Sequence, residues 1–131
     1  MANTVTIRTL IDGPRQSVLH VYLKSDGMSG DIVDQVVVDI SALNSRAVKT
    51  TLEEVWYNLV GFDALLEFDS PTDTTAWKLS SGTDNHQDFR SFGGIKDSNE
   101  STSTGDVLIT TNGMTTTSDE GTIILKVRKD F

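Results

Sequence analysis

The chain has 131 residues, no cysteine, 37% hydrophobic residues and a formal charge of -8 from 11 Lys+Arg against 19 Asp+Glu. That length supports one domain, 1–131, with a real core, and the lack of cysteine excludes thiolate catalysis, Zn-thiolate sites, iron-sulfur clusters and disulfide switching. The acid excess argues against nucleic acid, which needs a concentrated basic surface, and no apolar run approaches the roughly 20 residues that span a bilayer, so neither nucleic acid nor membrane is an expected partner. The start, Met1-Ala2-Asn3-Thr4, has no basic segment leading into an apolar stretch, and no signal peptide is expected.

Strand patterns and turn punctuation then alternate along the chain. Thr4 to Arg8 alternates polar and apolar, and Asp12-Gly13-Pro14 breaks it. Ser17 to Lys24 follows, with Leu19, Val21 and Leu23 as its core face and His20 on the less buried one. After the turn Asp26 to Asp31, the β-branched run Ile32 to Ile40 suits a strand covered on both sides. Ser41 to Lys49 has room for one short helical turn. Thr51 to Val60 sets Val55, Tyr57 and Leu59 against Trp56, Asn58 and Val60, and Gly61-Phe62-Asp63 gives a hairpin-length break before Ala64 to Asp69. With Thr75 to Leu79 these predict an antiparallel meander. Asp106 to Thr111 and Thr122 to Arg128 bring the count to about eight strands, and the basic end Lys126-Val127-Arg128-Lys129 reads as an edge or solvent face with Val127 inward.

Short strands without alternating helices predict an all-β fold, an antiparallel β-sandwich with the jelly roll among its forms. Strand order stays open. Ser80 to Thr104 is too long for an ordinary connection, and its polar half, Asp97 to Thr104, is expected to be mobile until assembly. Its other half holds Asp88, Phe89, Arg90 and Phe92, for which two readings stay open. The phenylalanines, with Ile95, could close one end of the sandwich, or the four residues could anchor a neighbouring subunit, since aromatics and arginine are enriched at interface hot spots.

Catalytic chemistry is hard to find. His20 and His86 offer few bases for a triad, and Thr83 to Asp88 reads as turn chemistry ahead of a metal site. Asp26, Asp31 and Asp34 lack the spacing of a calcium loop. Glu53 and Glu54 are adjacent on a strand, so they are expected on opposite faces and cannot form a glycosidase pair. Gly93-Gly94 is not followed by the helix and lysine of a phosphate loop. Trp56 and Trp77 fit the core better than a sugar-stacking platform. No catalytic residue, cofactor or metal is predicted, and the chain is not expected to be an enzyme.

Several stretches together carry a resemblance: Leu10 to Arg15, Val37 to Leu43, Leu52 to Tyr57, Asp88-Phe89-Arg90-Ser91-Phe92-Gly93-Gly94-Ile95-Lys96, Thr104 to Thr111 and Thr122 to Lys129. In these the chain resembles small virion structural proteins of tailed bacteriophages. The resemblance implies a capsid decoration or cement protein on the outer surface of the head, with the major capsid protein and itself as partners, commonly as a homotrimer. A tail, neck or baseplate structural component that joins machinery or contacts a host glycan is the alternative, and a carbohydrate-binding module unrelated to phage is a third choice.

Overall fold

The computed structural model describes residues 3–43, 49–70, 73–82, 85–96 and 104–130. Nine strands follow in chain order: β1 Thr4–Asp12, β2 Gln16–Lys24, β3 Gln35–Val38, β4 Lys49–Val60, β5 Asp63–Phe68, β6 Thr74–Leu79, β7 Asn85–Asp88, β8 Val107–Asn112 and β9 Glu120–Asp130. They form two antiparallel sheets, one of five strands in the order β1-β2-β9-β4-β7 and one of four in the order β3-β8-β5-β6.

The pairing has a simple rule. β5 pairs with β6, β4 with β7, β3 with β8 and β2 with β9, as if β2 to β5 and β6 to β9 were the two arms of one long hairpin. The arms are rolled so that successive rungs alternate between sheets, and the ladders β4·β9 and β5·β8 join the rungs within each sheet. This is a jelly roll with β1 added outside β2. The sandwich predicted from the sequence is present, in its jelly-roll form.

Alternation supplies the core. Leu19, Val21 and Leu23 of β2, Val55, Tyr57 and Leu59 of β4, and Ile123, Leu125 and Val127 of β9 face inward from the larger sheet. Ala64, Leu66 and Phe68 of β5, Ala76 and Leu79 of β6, and Val107 and Ile109 of β8 meet them from the smaller one.

Four local expectations are corrected. β4 does not continue into a meander: it lies in one sheet and β5 in the other, and only β5 and β6 pair as expected. The short break crosses the sandwich because Phe62 turns inward to 2% exposure, while Gly61 takes φ +87°, where an added Cβ would stand 2.0 Å from Asp119 Oδ1. The β-branched run is a strand only over Gln35–Val38, because a register shift between Val36 and Val38 and the Asp39 carboxylate, which accepts the Ser41 N–H at 3.1 Å, lead the chain into a short 3₁₀ turn at Ile40–Ala42. Val33 is left 69% exposed.

The basic end is not an edge either. β9 lies between β2 and β4, Val127 is buried as expected, and Lys129 is buried too, its Nζ bonded to Asp12 Oδ1 at 2.5 Å and to the Gly13 carbonyl at 2.6 Å. Finally, the segment after Ser80 is not one long connection. Asn85–Asp88 forms β7 on β4, a 3₁₀ turn follows at Arg90–Phe92, and Ile95 pairs with Leu52. Residues 97–103 of its polar half lie outside the described residues.

Candidate functional site

The outer face of the five-stranded sheet carries the side chains that the core rejects. Lateral pairing sets Arg8, His20, Ile124, Trp56 and His86 in one row across all five strands, with Thr6, Tyr22, Thr122 and Asn58 in the next row. Trp56 is 36% exposed, and its indole stacks on the His86 imidazole with centroids 4.8 Å apart and planes 2° from parallel. β7 brings His86 to one side of Trp56, and β9 brings the slimmer Ile124 to the other.

A cavity of about 340 Å³ opens there, lined by Trp56, His86, Asn85, Asn58, Thr122 and Ile124 together with Tyr57. A second depression of about 210 Å³ shares Asn58 and Thr122 and runs on to Tyr22, Val60 and Glu120. The Tyr22 hydroxyl donates to Glu120 Oε2 at 2.8 Å, and this partner pushes its pKa above the usual phenol value. The two depressions make one elongated groove floored by central strands.

An ionic cluster holds the platform in place. Glu54 Oε2 lies 2.9 Å from His86 Nε2, Glu54 Oε1 lies 3.0 Å from Arg90 Nε, and Lys126 Nζ approaches at 3.9 Å. Arg90 also grips Asp88, donating from Nε to Oδ1 at 3.0 Å and from Nη2 to Oδ2 at 2.8 Å. The Arg90 hydrogen bonds hold the Asp88 carboxyl down at about 2 and raise the guanidinium in return.

Glu53 and Glu54 correct the expectation that they oppose each other. A bulge between Leu52 and Glu54 inserts one residue against β9, so both carboxylates reach partners on the outer face: Glu54 those above, Glu53 the Gln16 amide at 2.7 Å and Arg128 at 3.9 Å. Neither lines the groove. His20 Nδ1 is buried without a hydrogen-bond partner.

The four residues singled out as an interface separate. Phe89 is 3% exposed, packs on Trp77 at 4.9 Å and donates its N–H to the Glu53 carbonyl at 2.8 Å, so it belongs to the core. Phe92 is 68% exposed, and Asp88 and Arg90 pair with each other at the surface. Trp77 packs against the core as expected, whereas Trp56 does not. Asn85 and His86 are strand residues rather than part of a turn; Thr83 and Asp84 of the same motif lie outside the described residues.

Among the described residues one acidic group could hold a metal ion. Carboxylate oxygens of Asp34, Glu67 and Asp73 lie within 4.8 Å of one another. The Thr110 hydroxyl already donates to Glu67 Oε1 at 2.8 Å and approaches Asp34 Oδ1 at 3.3 Å. Asp26 and Asp31 serve their loops instead, Asp26 bonding the N–H groups of Met28 and Ser29 at 2.8 and 2.7 Å, and Asp31 that of Met114 at 2.8 Å. The Ser29 hydroxyl and these amides hold Asp26 down at about 2.

No protein-family model matches the chain, and no curated protein does. Among solved structures it is similar to a cupin domain from Bordetella pertussis Tohama I, at 11% identity over 100% of this chain and 98% of that one, with a TM-score of 0.39. It is also similar to a family 29 carbohydrate-binding module from Piromyces equi, at 11% identity over 95% and 85% of the two chains and a TM-score of 0.43. A cupin superfamily protein from Desulfitobacterium hafniense DCB-2 gives 10% identity, 100% and 82% coverage and a TM-score of 0.33. Likeness at these scores carries no functional argument.

Proposed function

We propose that the chain is a non-enzymatic virion structural protein of the tailed-bacteriophage kind, a capsid decoration protein that binds the outer surface of a head lattice as an oligomer. The resemblance that runs through the sequence motivates the reading, and one structural observation supports it. β1 is nine residues long, pairs only with β2 among the described strands, and exposes Ile7, Leu10 and Ile11 at 37%, 44% and 59%. A long apolar edge templates pairing with another chain, and here Arg8 and a bulge between Thr9 and Ile11 interrupt the edge without covering Ile7, Leu10 and Ile11. A protein that works in an assembly gains from leaving it open.

The partners under this reading are the major capsid protein and further copies of the chain, a homotrimer being the expected form. Many modest contacts repeated over a shell resist internal pressure without any single tight one. The net charge of -8 suits a surface away from packaged DNA and keeps the free protein soluble. Particles lacking the protein should release DNA at lower temperature or milder osmotic shock, and adding back the wild-type protein should restore them while Ile11→Lys restores them poorly. Equal resistance with and without the protein would refute the reading.

A further inference from the structure

We propose that the groove over the five-stranded sheet is a carbohydrate site that takes an extended chain of neutral sugars against Trp56. The inference stands apart from the capsid reading, since it concerns the free protein and a different surface from the β1 edge.

Three observations carry it. The first is the platform. His86 stacks on the indole at 4.8 Å, Ile124 flanks Trp56 on the neighbouring strand, and all three line the 340 Å³ cavity, so the indole and imidazole form an aromatic wall beside a shorter aliphatic side chain. A flat aromatic wall beside an open trough suits the C–H face of a pyranose ring. Trp56 is fixed by the imidazole, which Glu54 fixes in turn at 2.9 Å, and Glu54 is clasped by Arg90 at 3.0 Å. The wall is therefore set before a ligand arrives, which lowers the ordering cost of binding.

The second is the lining chemistry. Asn58, Asn85 and Thr122 offer amide and hydroxyl groups, which both donate and accept, as sugar hydroxyls do. Among the described residues no lysine or arginine lines either depression, and Glu120 closes the far end, so phosphate, sulfate and nucleic acid are disfavoured. The third is shape. The two depressions share Asn58 and Thr122 and run from His86 on β7 across β4 and β9 to Tyr22 on β2, which suits a linear oligomer better than a compact metabolite.

The test titrates the purified protein with cellohexaose, laminarihexaose, mannohexaose and maltohexaose, with a heparin hexasaccharide as the anionic control, read by tryptophan fluorescence and by calorimetry. At least one neutral hexasaccharide should bind saturably and the heparin fragment should not. Trp56→Ala should weaken that binding by about tenfold or more, as loss of a central aromatic anchor does, whereas Trp77→Phe should leave it unchanged. Asn58→Ala and His86→Ala should weaken it too, and they carry the test if Trp56→Ala does not fold. Saturable binding that survives all three groove variants, tighter binding of the heparin fragment, or no binding of any neutral sugar at millimolar concentration would each overturn the proposal.

Discussion

Truncating Phe89 separates the two roles that its loop offers. Phe89 is 3% exposed, packs tilted at 57° against Trp77 and lies 6.2 Å from the ring of Phe92, a residue that is 68% exposed. Phe89→Ala deletes a buried ring from the end of the sandwich, where the backbone is already pinned by the Glu53 carbonyl and the Gly94 N–H and cannot collapse into the void. Such a deletion costs about 3–5 kcal/mol. For a domain of this size that is a fall in Tm of roughly 10–20 °C. Phe92→Ala removes a ring that water already reaches and should change stability by no more than about 0.5 kcal/mol. Urea titration and calorimetry of the two variants, at concentrations where the protein is monomeric, measure both numbers. Under the assembly reading, Phe92→Ala also weakens self-association or attachment without touching the fold. A Phe89→Ala loss below about 1 kcal/mol, or a Phe92→Ala loss of the same size as that of Phe89→Ala, would refute the assignment of Phe89 to the core.

Gly61→Ala should destabilise by about 2 kcal/mol or more, because its Cβ would meet the Asp119 carboxylate at 2.0 Å in a left-handed backbone; unchanged thermal stability contradicts the crossing geometry. Lys129→Ala removes the buried cation from the Asp12 carboxylate, which keeps the Ser17 hydroxyl at 3.0 Å, and because Asp12 remains 24% exposed the loss should fall near the lower end of the buried-pair range, about 3 kcal/mol, read as a lower urea midpoint at unchanged slope. Asp26 and Asp88 are both held at about 2, below the unfolded value of about 4, so their contribution is complete above about pH 4 and is lost as pH falls towards 2. The double variant Asp26→Asn, Asp88→Asn should therefore show a shallower loss of stability between those pH values than the wild type. An identical acid limb in both proteins would count against these two carboxylates.

The long strands were legible because their alternation is strict: Leu19, Val21 and Leu23, or Ile123, Leu125 and Val127, have no other reason to recur at every second residue. β7 was hidden for the opposite reason. Asn85-His86-Gln87-Asp88 contains no apolar residue, and what makes it a strand is pairing with β4, about thirty residues earlier. The bulge at Glu53 is invisible for the same cause, since an extra residue exists only relative to the partner strand, and it reverses the expected opposition of two glutamates. The break at Gly61-Phe62-Asp63 fits a hairpin and a sheet crossing equally well by length. Phe62 was the available signal, because an aromatic in a three-residue turn has to be covered by something. Trp56 did carry a signal, since it alternates with Val55, Tyr57 and Leu59 and shares its face with Asn58; what the sequence could not show is that pairing with β7 sets His86 beside it.

The decoration reading turns most directly on stoichiometry in the particle. Quantitative mass spectrometry of purified virions, referenced to the major capsid protein, should find on the order of hundreds of copies, a fixed ratio set by the icosahedral lattice. A count of about a dozen or fewer would move the protein to the tail or neck, and its absence from the particle would contradict a structural role in the virion.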